Sequence, residues 1–233
     1  MDLRAIKAAR RTELCICAFA AARNTRGLLH DAEILAASGS TARAYSRAAL
    51  AVEECGKAGS LTVLAVLPKT LRTQAPVGRM LEWHQLKQVG GLLLAMVPIE
   101  EPGLAAKLAA MPAAQATRIL STLSAPADEA DRLKRRGMYV DMDRTGRIRE
   151  PSEITEAQLA SQLDRARLAA ASATLLLKPE AQARLANPPS ELTELASALV
   201  NALIQAGRSA RTPEAAAEII HNAVSNLRDR MAI

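Results

Sequence analysis

Near the start of the chain, apolar residues return every three or four positions, the period of an α-helix. Leu14, Cys17, Ala21, Leu28, Ala32 and Leu35 lie on one stripe. Ser38-Gly39-Ser40 interrupts it, and Ala42, Tyr45, Ala49, Val52, Gly56, Gly59, Val63 and Val66 then carry it on. Two long stripes joined by so short a break predict an antiparallel helical hairpin at a shallow crossing angle, with Ser40 or Thr41 capping the second helix. Gly56 and Gly59 cost helix propensity, so they are predicted to mark the close approach of another backbone.

Pro68 ends the second helix. The same period predicts helices over about 76–97 and 103–123, and a short charged helix over 128–136 that stops at Gly137. The pattern then changes. Residues 138–142 and 147–149 flank Asp143-Arg144-Thr145-Gly146, which has the chemistry of a turn with glycine in the left-handed region. A small hairpin or ordered loop is expected near 138–150. Helices resume over 155–177, 190–205 and 213–231. The fold class is therefore all-α, an antiparallel helical bundle with one short hairpin or loop and additional C-terminal helices. Residues 1–151 are expected to form the core, and 152–233 to pack on it or to form a small subdomain.

Composition agrees with helices. About a fifth of the 233 residues are alanine and only 2% are aromatic, so the core must be built from small and aliphatic side chains. With 23% charged residues the chain is not of disordered composition. The net charge of +6 allows an anionic partner such as RNA, although the excess of arginine over lysine also fits a GC-rich genome. Cys15, Cys17 and Cys55 match no zinc or redox spacing and are read as small buried residues in a reducing compartment. No apolar run approaches the ~20 residues of a membrane helix. Arg4, Lys7, Arg10 and Arg11 precede Leu14 in the manner of a signal peptide, but Glu13 intrudes and Arg23 follows at once. The stretch is read as the first helix of a cytoplasmic protein.

Few residues stand out as chemistry. Glu53 and Lys57 are four apart in an unusually apolar helix, the favourable order for an ion pair. His84 and Lys87 share a helical face; histidine moves protons near neutral pH, and a lysine beside it holds a phosphate or stabilises negative charge. Arg79 lies five residues before His84, about 140° round an ideal helix. The two meet only if Arg79 sits in a frayed first turn or the site is shared between subunits. His30 follows Arg23 at the spacing of an Arg-x6-His motif but sits in the opening hairpin, and His221 has no basic or acidic cluster near it in sequence; both are read as structural or exposed. The run from Arg132 to Arg149 is the densest basic stretch and the best footprint for a polyanion. Asp141 and Asp143 open like a calcium loop but no glutamate follows at the twelfth position, so no metal is assigned.

Taken together, Ala44-Tyr45-x-x-Ala48, Glu53-Glu54-x-Gly56-Lys57-Ala58, His84-x-x-Lys87 and Arg136-x-x-Tyr139-Val140-Asp141 resemble the AbiV family of bacterial abortive-infection proteins, over roughly residues 20–151. That family looks like a branch of the HEPN superfamily of all-α, often dimeric proteins, many of them metal-independent ribonucleases with an Arg-x4-6-His motif. The resemblance implies a cofactor-free phage-defence protein, with RNA or a phage or host protein as partner and a homodimer as its state. It implies His84, Arg79 and Lys87 as the cleaving group, with Glu53, Glu54, Lys57, Arg136, Tyr139 and Asp141 ordering or extending the site. Met80 departs from the pattern, since a polar residue usually follows the arginine. The alternative is a non-catalytic helical module in which these segments form a buried polar network and function runs through a partner.

Overall fold

The structure, a computed structural model, describes residues 3–75, 129–138, 141–142, 145–146, 148–149 and 154–209, with isolated positions at 219 and 222. The helices expected over 76–97, 103–123 and 213–231 lie outside the described residues, apart from those two positions. Eight helices are present among the described residues: α1 (Leu3–Ala8), α2 (Arg11–Ala37), α3 (Thr41–Val66), α4 (Lys69–Gln74), α5 (helical over 129–138), α6 (Glu156–Leu176), α7 (Pro179–Ala186) and α8 (Ser190–Ser209).

Helices α2 and α3 form the expected hairpin. Gly39 adopts φ 77°, and the Ser40 and Gly39 amides donate to the Leu35 and Ala36 carbonyls at 2.9 and 3.0 Å. That pair of bonds closes the end of α2 as a Schellman motif, which requires the left-handed conformation glycine takes freely. At the other end of α2, the Glu13 carboxylate accepts from the Arg10 amide at 2.8 Å and from its guanidinium at 2.7 Å. The buried stripe of α2 differs slightly from expectation: Leu14, Ala18, Ala21, Thr25, Leu28 and Ala32 face inward, and Cys17 is exposed. Thr25 hid this stripe. Its hydroxyl is satisfied by the Ala21 carbonyl at 3.0 Å, so a polar residue occupies a core position at little cost.

Helix α3 is the centre of the bundle, packed by α2 and α6 and touched by α7 and α8. It is accordingly buried on nearly every side, with Ala44, Ala48, Ala51, Cys55, Ala58 and Leu64 wholly enclosed. Gly56 and Gly59 are buried. Helix α6 lies beyond position 151 yet packs on both helices of the hairpin through Leu163, Ala166, Ala173 and Leu176. Thr155 caps it: its hydroxyl accepts from the Gln158 amide at 3.2 Å, and Gln158 accepts from the Thr155 amide at 2.9 Å. The Cys55 thiol donates to the Ala169 carbonyl at 3.3 Å, and burial pushes this thiol up to about 12. It is a packing group, not a nucleophile.

The non-helical element is also present. Strands β1 (Asp141–Met142) and β2 (Ile148–Arg149) pair antiparallel, with Asp141 opposite Arg149, and Gly146 takes φ 81° in the connecting turn. Among the described residues no helix is long and apolar enough to cross a membrane.

Candidate functional site

The Ala44–Ala48 and Glu53–Ala58 segments of α3 meet the 129–138 helix where α5 docks on α3. The Lys134 ammonium lies 2.5 Å from Glu53 Oε1 and 2.9 Å from Asp131 Oδ1. Both Lys134 and Glu53 side chains are over 90% buried, at 6% and 7% exposure. Asp131 also accepts from Arg135 Nε at 3.0 Å. This is a chain of alternating charges, Glu53–Lys134–Asp131–Arg135, that runs from the bundle interior to the surface. Carboxylates on both sides of a buried ammonium offset its desolvation, which a single partner would meet only in part. Glu53 and Lys134 are 81 residues apart in sequence.

Two further contacts fix α5. The Ser46 hydroxyl lies 3.0 Å from the carbonyl oxygens of both Ala42 and Lys134 and shares its one proton between them. Gly137 sits so close to α3 that a Cβ there would strike Ser46 Oγ and the Ala42 carbonyl. The sequence pattern suggested Gly137 as a helix stop. Instead α5 is helical through 138, and the glycine is where two backbones touch.

The expected pairing within α3 differs in the same way. Lys57 is joined to Glu54, 3.3 Å away, while Glu53 turns inward to Lys134. The physical reason is the face of the helix. Lys57 and Glu54 are half-buried at the edge of α3, whereas Glu53 lies on the side that α5 covers. The basic run is likewise less positive than its sequence suggests. Arg132 stands 3.8 Å from Glu129, Lys134 and Arg135 are paired, and of these cations only Arg136 makes no side-chain ion pair or hydrogen bond with the described residues. Arg136 is half-buried. Asp141 is placed in β1 opposite Arg149. Arg79, His84, Lys87 and Tyr139 lie outside the described residues, as does His221; His30 is exposed.

The family model for AbiV, a HEPN-type family, matches residues 13–171. The chain belongs to the AbiV family. No curated protein and no solved structure matched it. AbiV membership places the chain among abortive-infection proteins of phage defence. The matched region runs from α2 through most of α6, so the hairpin, the α5 junction and the third packed helix all lie within it. It extends past the resemblance at 20–151, because α6 is mostly alanine and leucine and carries no histidine, cysteine or aromatic residue to recognise.

Sequence reasoning missed Lys134 and Asp131 as members of the AbiV junction. Their spacing was visible: Asp131, Lys134 and Arg135 stand at i, i+3 and i+4, a helical charge ladder. Nothing in the sequence tied that ladder to Glu53. Tyr45 was placed on the buried stripe but not in a site. Burial pushes its phenol up to about 12, with the charge of Arg165 acting the other way, so it remains a neutral hydroxyl. Among the described residues no three His, Cys, Asp or Glu side chains group as metal ligands.

Proposed function

We infer that this AbiV-family protein is an effector of abortive infection that cleaves RNA without a metal ion, working in the cytoplasm as a homodimer. The observation that carries this reading is the sequence Arg79-x4-His84 with Lys87 three residues on, in a chain whose family is of HEPN type. His84 takes the proton from a ribose 2′-hydroxyl, or gives one to the leaving oxygen. Arg79 and Lys87 hold the scissile phosphate as negative charge builds on it. The 2′-oxygen bonds to phosphorus, the bond to the leaving oxygen breaks, and one product ends in a cyclic phosphate. Arg136, half-buried and without a side-chain partner among the described residues, is the cation of the 129–138 segment that remains available to a phosphate.

One observation favours a second reading, a non-catalytic interaction module. The Glu53 carboxylate of the Glu-Glu-x-Gly-Lys segment is consumed in a buried ion pair, and that is structural work. On this reading the charged segments hold the bundle in shape, and a protein partner transmits the signal.

Incubating purified wild-type and His84→Ala protein with total RNA and with tRNA, in chelator, separates the two. The nuclease reading expects cleavage with cyclic phosphate ends by wild type and its loss in the variant, together with loss of growth arrest in infected cells. If His84→Ala retains both cleavage and arrest, the cleaving group is misassigned. If wild type cuts nothing while arresting growth, the interaction reading stands.

A further inference from the structure

At the end of the bundle where α3 gives way to α4, three cations gather: Lys7, Arg11 and Arg72. Helix α1 packs on α4 there, and α7 touches α2 and α3. The Lys7 ammonium donates to the Thr73 carbonyl at 2.9 Å. Arg11 donates through Nε to the Ala65 carbonyl at 3.2 Å and reaches the Ala186 carbonyl at 3.5 Å. Arg72 precedes Thr73 on α4 and is close enough to Arg11 for the two charges to repel. Among the described residues no carboxylate pairs with any of the three. A backbone carbonyl satisfies a donor but returns no net charge, so the positive charge at this end stays uncompensated.

Arg72 is the anomaly. It is only 6% exposed, and its Nε is enclosed without a hydrogen-bond partner. Its terminal nitrogens make no hydrogen bond either, but they are not enclosed, so the outer edge of the guanidinium is open. Arginine is almost never buried unless it is paired, because a charge taken out of water needs an opposite charge in return. Burial, and then the charge of Arg11, hold this guanidinium below its ordinary pKa. Lys134 shows how the same molecule meets an equally buried cation, with Glu53 on one side and Asp131 on the other. No described residue does this for Arg72. Its open edge is where a counter-charge can reach it, with Arg11 and Lys7 alongside.

The charges define the ligand. A carboxylate or a phosphodiester returns a single negative charge to three positive ones. A terminal phosphate carries about 1.5–2 negative charges at neutral pH, and a diphosphate more. Guanidinium groups also match the oxygens of a phosphate in geometry, while an ammonium adds a point charge beside them. We propose that Arg72, Arg11 and Lys7 form a binding site for a terminal phosphate or diphosphate group, anchored on the open edge of Arg72. The group is carried either by a small molecule or by the 5′ end of an RNA strand. The site does not rest on the nuclease reading above.

Calorimetric titration of the full-length protein at fixed ionic strength tests this, with inorganic phosphate, pyrophosphate and citrate as probes. Pyrophosphate should bind more tightly than phosphate and should raise Tm as its concentration rises. Citrate, a carboxylate of comparable charge, should bind more weakly than pyrophosphate. Arg72→Met should weaken pyrophosphate about ten-fold or more, the worth of one charge-assisted hydrogen bond. Because it removes an uncompensated buried charge, it should leave the Tm of the free protein unchanged or raise it. Lys7→Met, at a half-buried position joined to one carbonyl, should weaken pyrophosphate by a smaller factor, and it decides by itself if Arg72→Met fails to fold. Two uncleavable 2′-O-methyl oligonucleotides, one with a 5′-triphosphate and one with a 5′-hydroxyl, identify the carrier. Tighter binding of the triphosphate strand, by a margin lost in Arg72→Met, assigns the group to an RNA end; strands that bind alike, with pyrophosphate bound, assign it to a small molecule. No binding of phosphate or pyrophosphate, pyrophosphate binding that both variants retain, or citrate bound as tightly as pyrophosphate overturns the proposal. None of these readouts involves cleavage, so failure here leaves the nuclease reading intact, and a protein that cuts no RNA leaves this site intact.

Discussion

Helix α3 is held on two sides by opposite means. Toward α2 and α6 the contact is built from alanines, a buried thiol and leucines, with side chains so short that the helices come close along their whole length. Toward α5, among the described residues, a buried ion pair, a shared hydroxyl proton and a glycine are added to the buried Leu133. The apolar contact is non-directional: it sets a distance and tolerates small shifts. The polar contact is directional, and a one-residue slip of α5 would take Lys134 away from Glu53 and bring a side chain against Ala42. The small-residue core gives this bundle its bulk stability, and the charged junction fixes the register of the segment that leads into the hairpin.

The heaviest loss should follow removal of one charge from the junction. Lys134→Met leaves Glu53 buried without the 2.5 Å partner it has now, and such a change typically costs about 3–5 kcal/mol. Denaturant unfolding would measure it. The double variant Glu53→Leu/Lys134→Met should recover most of that loss, since an apolar pair of similar volume replaces the buried charges. A double variant as unstable as the single one would show that the junction is held by something else. Gly137→Ala should come next, at about 1–2 kcal/mol: the collision with the Ala42 carbonyl outweighs the gain in helix propensity, because a backbone oxygen cannot step aside. On the apolar side of the comparison, Thr155→Ala removes the cap of α6 and should cost about 1 kcal/mol, with the packing beneath it unchanged.

The smallest effect belongs to Glu13, which is exposed and caps α2 away from both contacts. Its hydrogen bond from the Arg10 backbone, then the one from the Arg10 side chain, hold its carboxyl below the ordinary 4.5. A folded-state value depressed in this way contributes stability above the unfolded value and loses it as pH falls below. Thermal melts of wild type and Glu13→Gln should therefore differ slightly at neutral pH and converge as pH falls from about 4.5 through the depressed folded-state value. A difference that does not shrink as the pH is lowered from 4.5 would assign the effect to packing.

Much of the fold could be read from the period of apolar residues. The hairpin, its Ser-Gly-Ser turn, the Thr155 cap and the glycine of the 141–149 ladder each follow from local chemistry, and local chemistry is what a sequence displays. What escaped was of two kinds. The α2 stripe was misplaced at Cys17 because Thr25 satisfies its hydroxyl within its own helix and so behaves as an apolar residue. The short helices α1, α4 and α7 were missed because six to eight residues hold too few turns to show a period. The junction was half legible. The rare carboxylates and cations marked the right segments, but i, i+4 spacing favoured Glu53 with Lys57, and only tertiary placement of α5 sends Glu53 to Lys134. Pairing across 81 residues leaves no local signature.

That separation has a consequence during synthesis. The α2–α3 hairpin needs only the first 66 residues and can close as soon as they are clear of the ribosome, because its contacts are local and its turn is self-satisfied. Lys134 follows 81 residues after Glu53, a delay of several seconds at about 5–20 residues per second. Throughout that interval the Glu53 flank of the nascent hairpin lacks the Lys134 ammonium that meets it in the finished bundle. A charged residue there keeps the flank from sticking to other apolar chains, and it accepts α5 only when a cation arrives with it. The pair that fixes the register of the finished bundle thus also guards its half-made form.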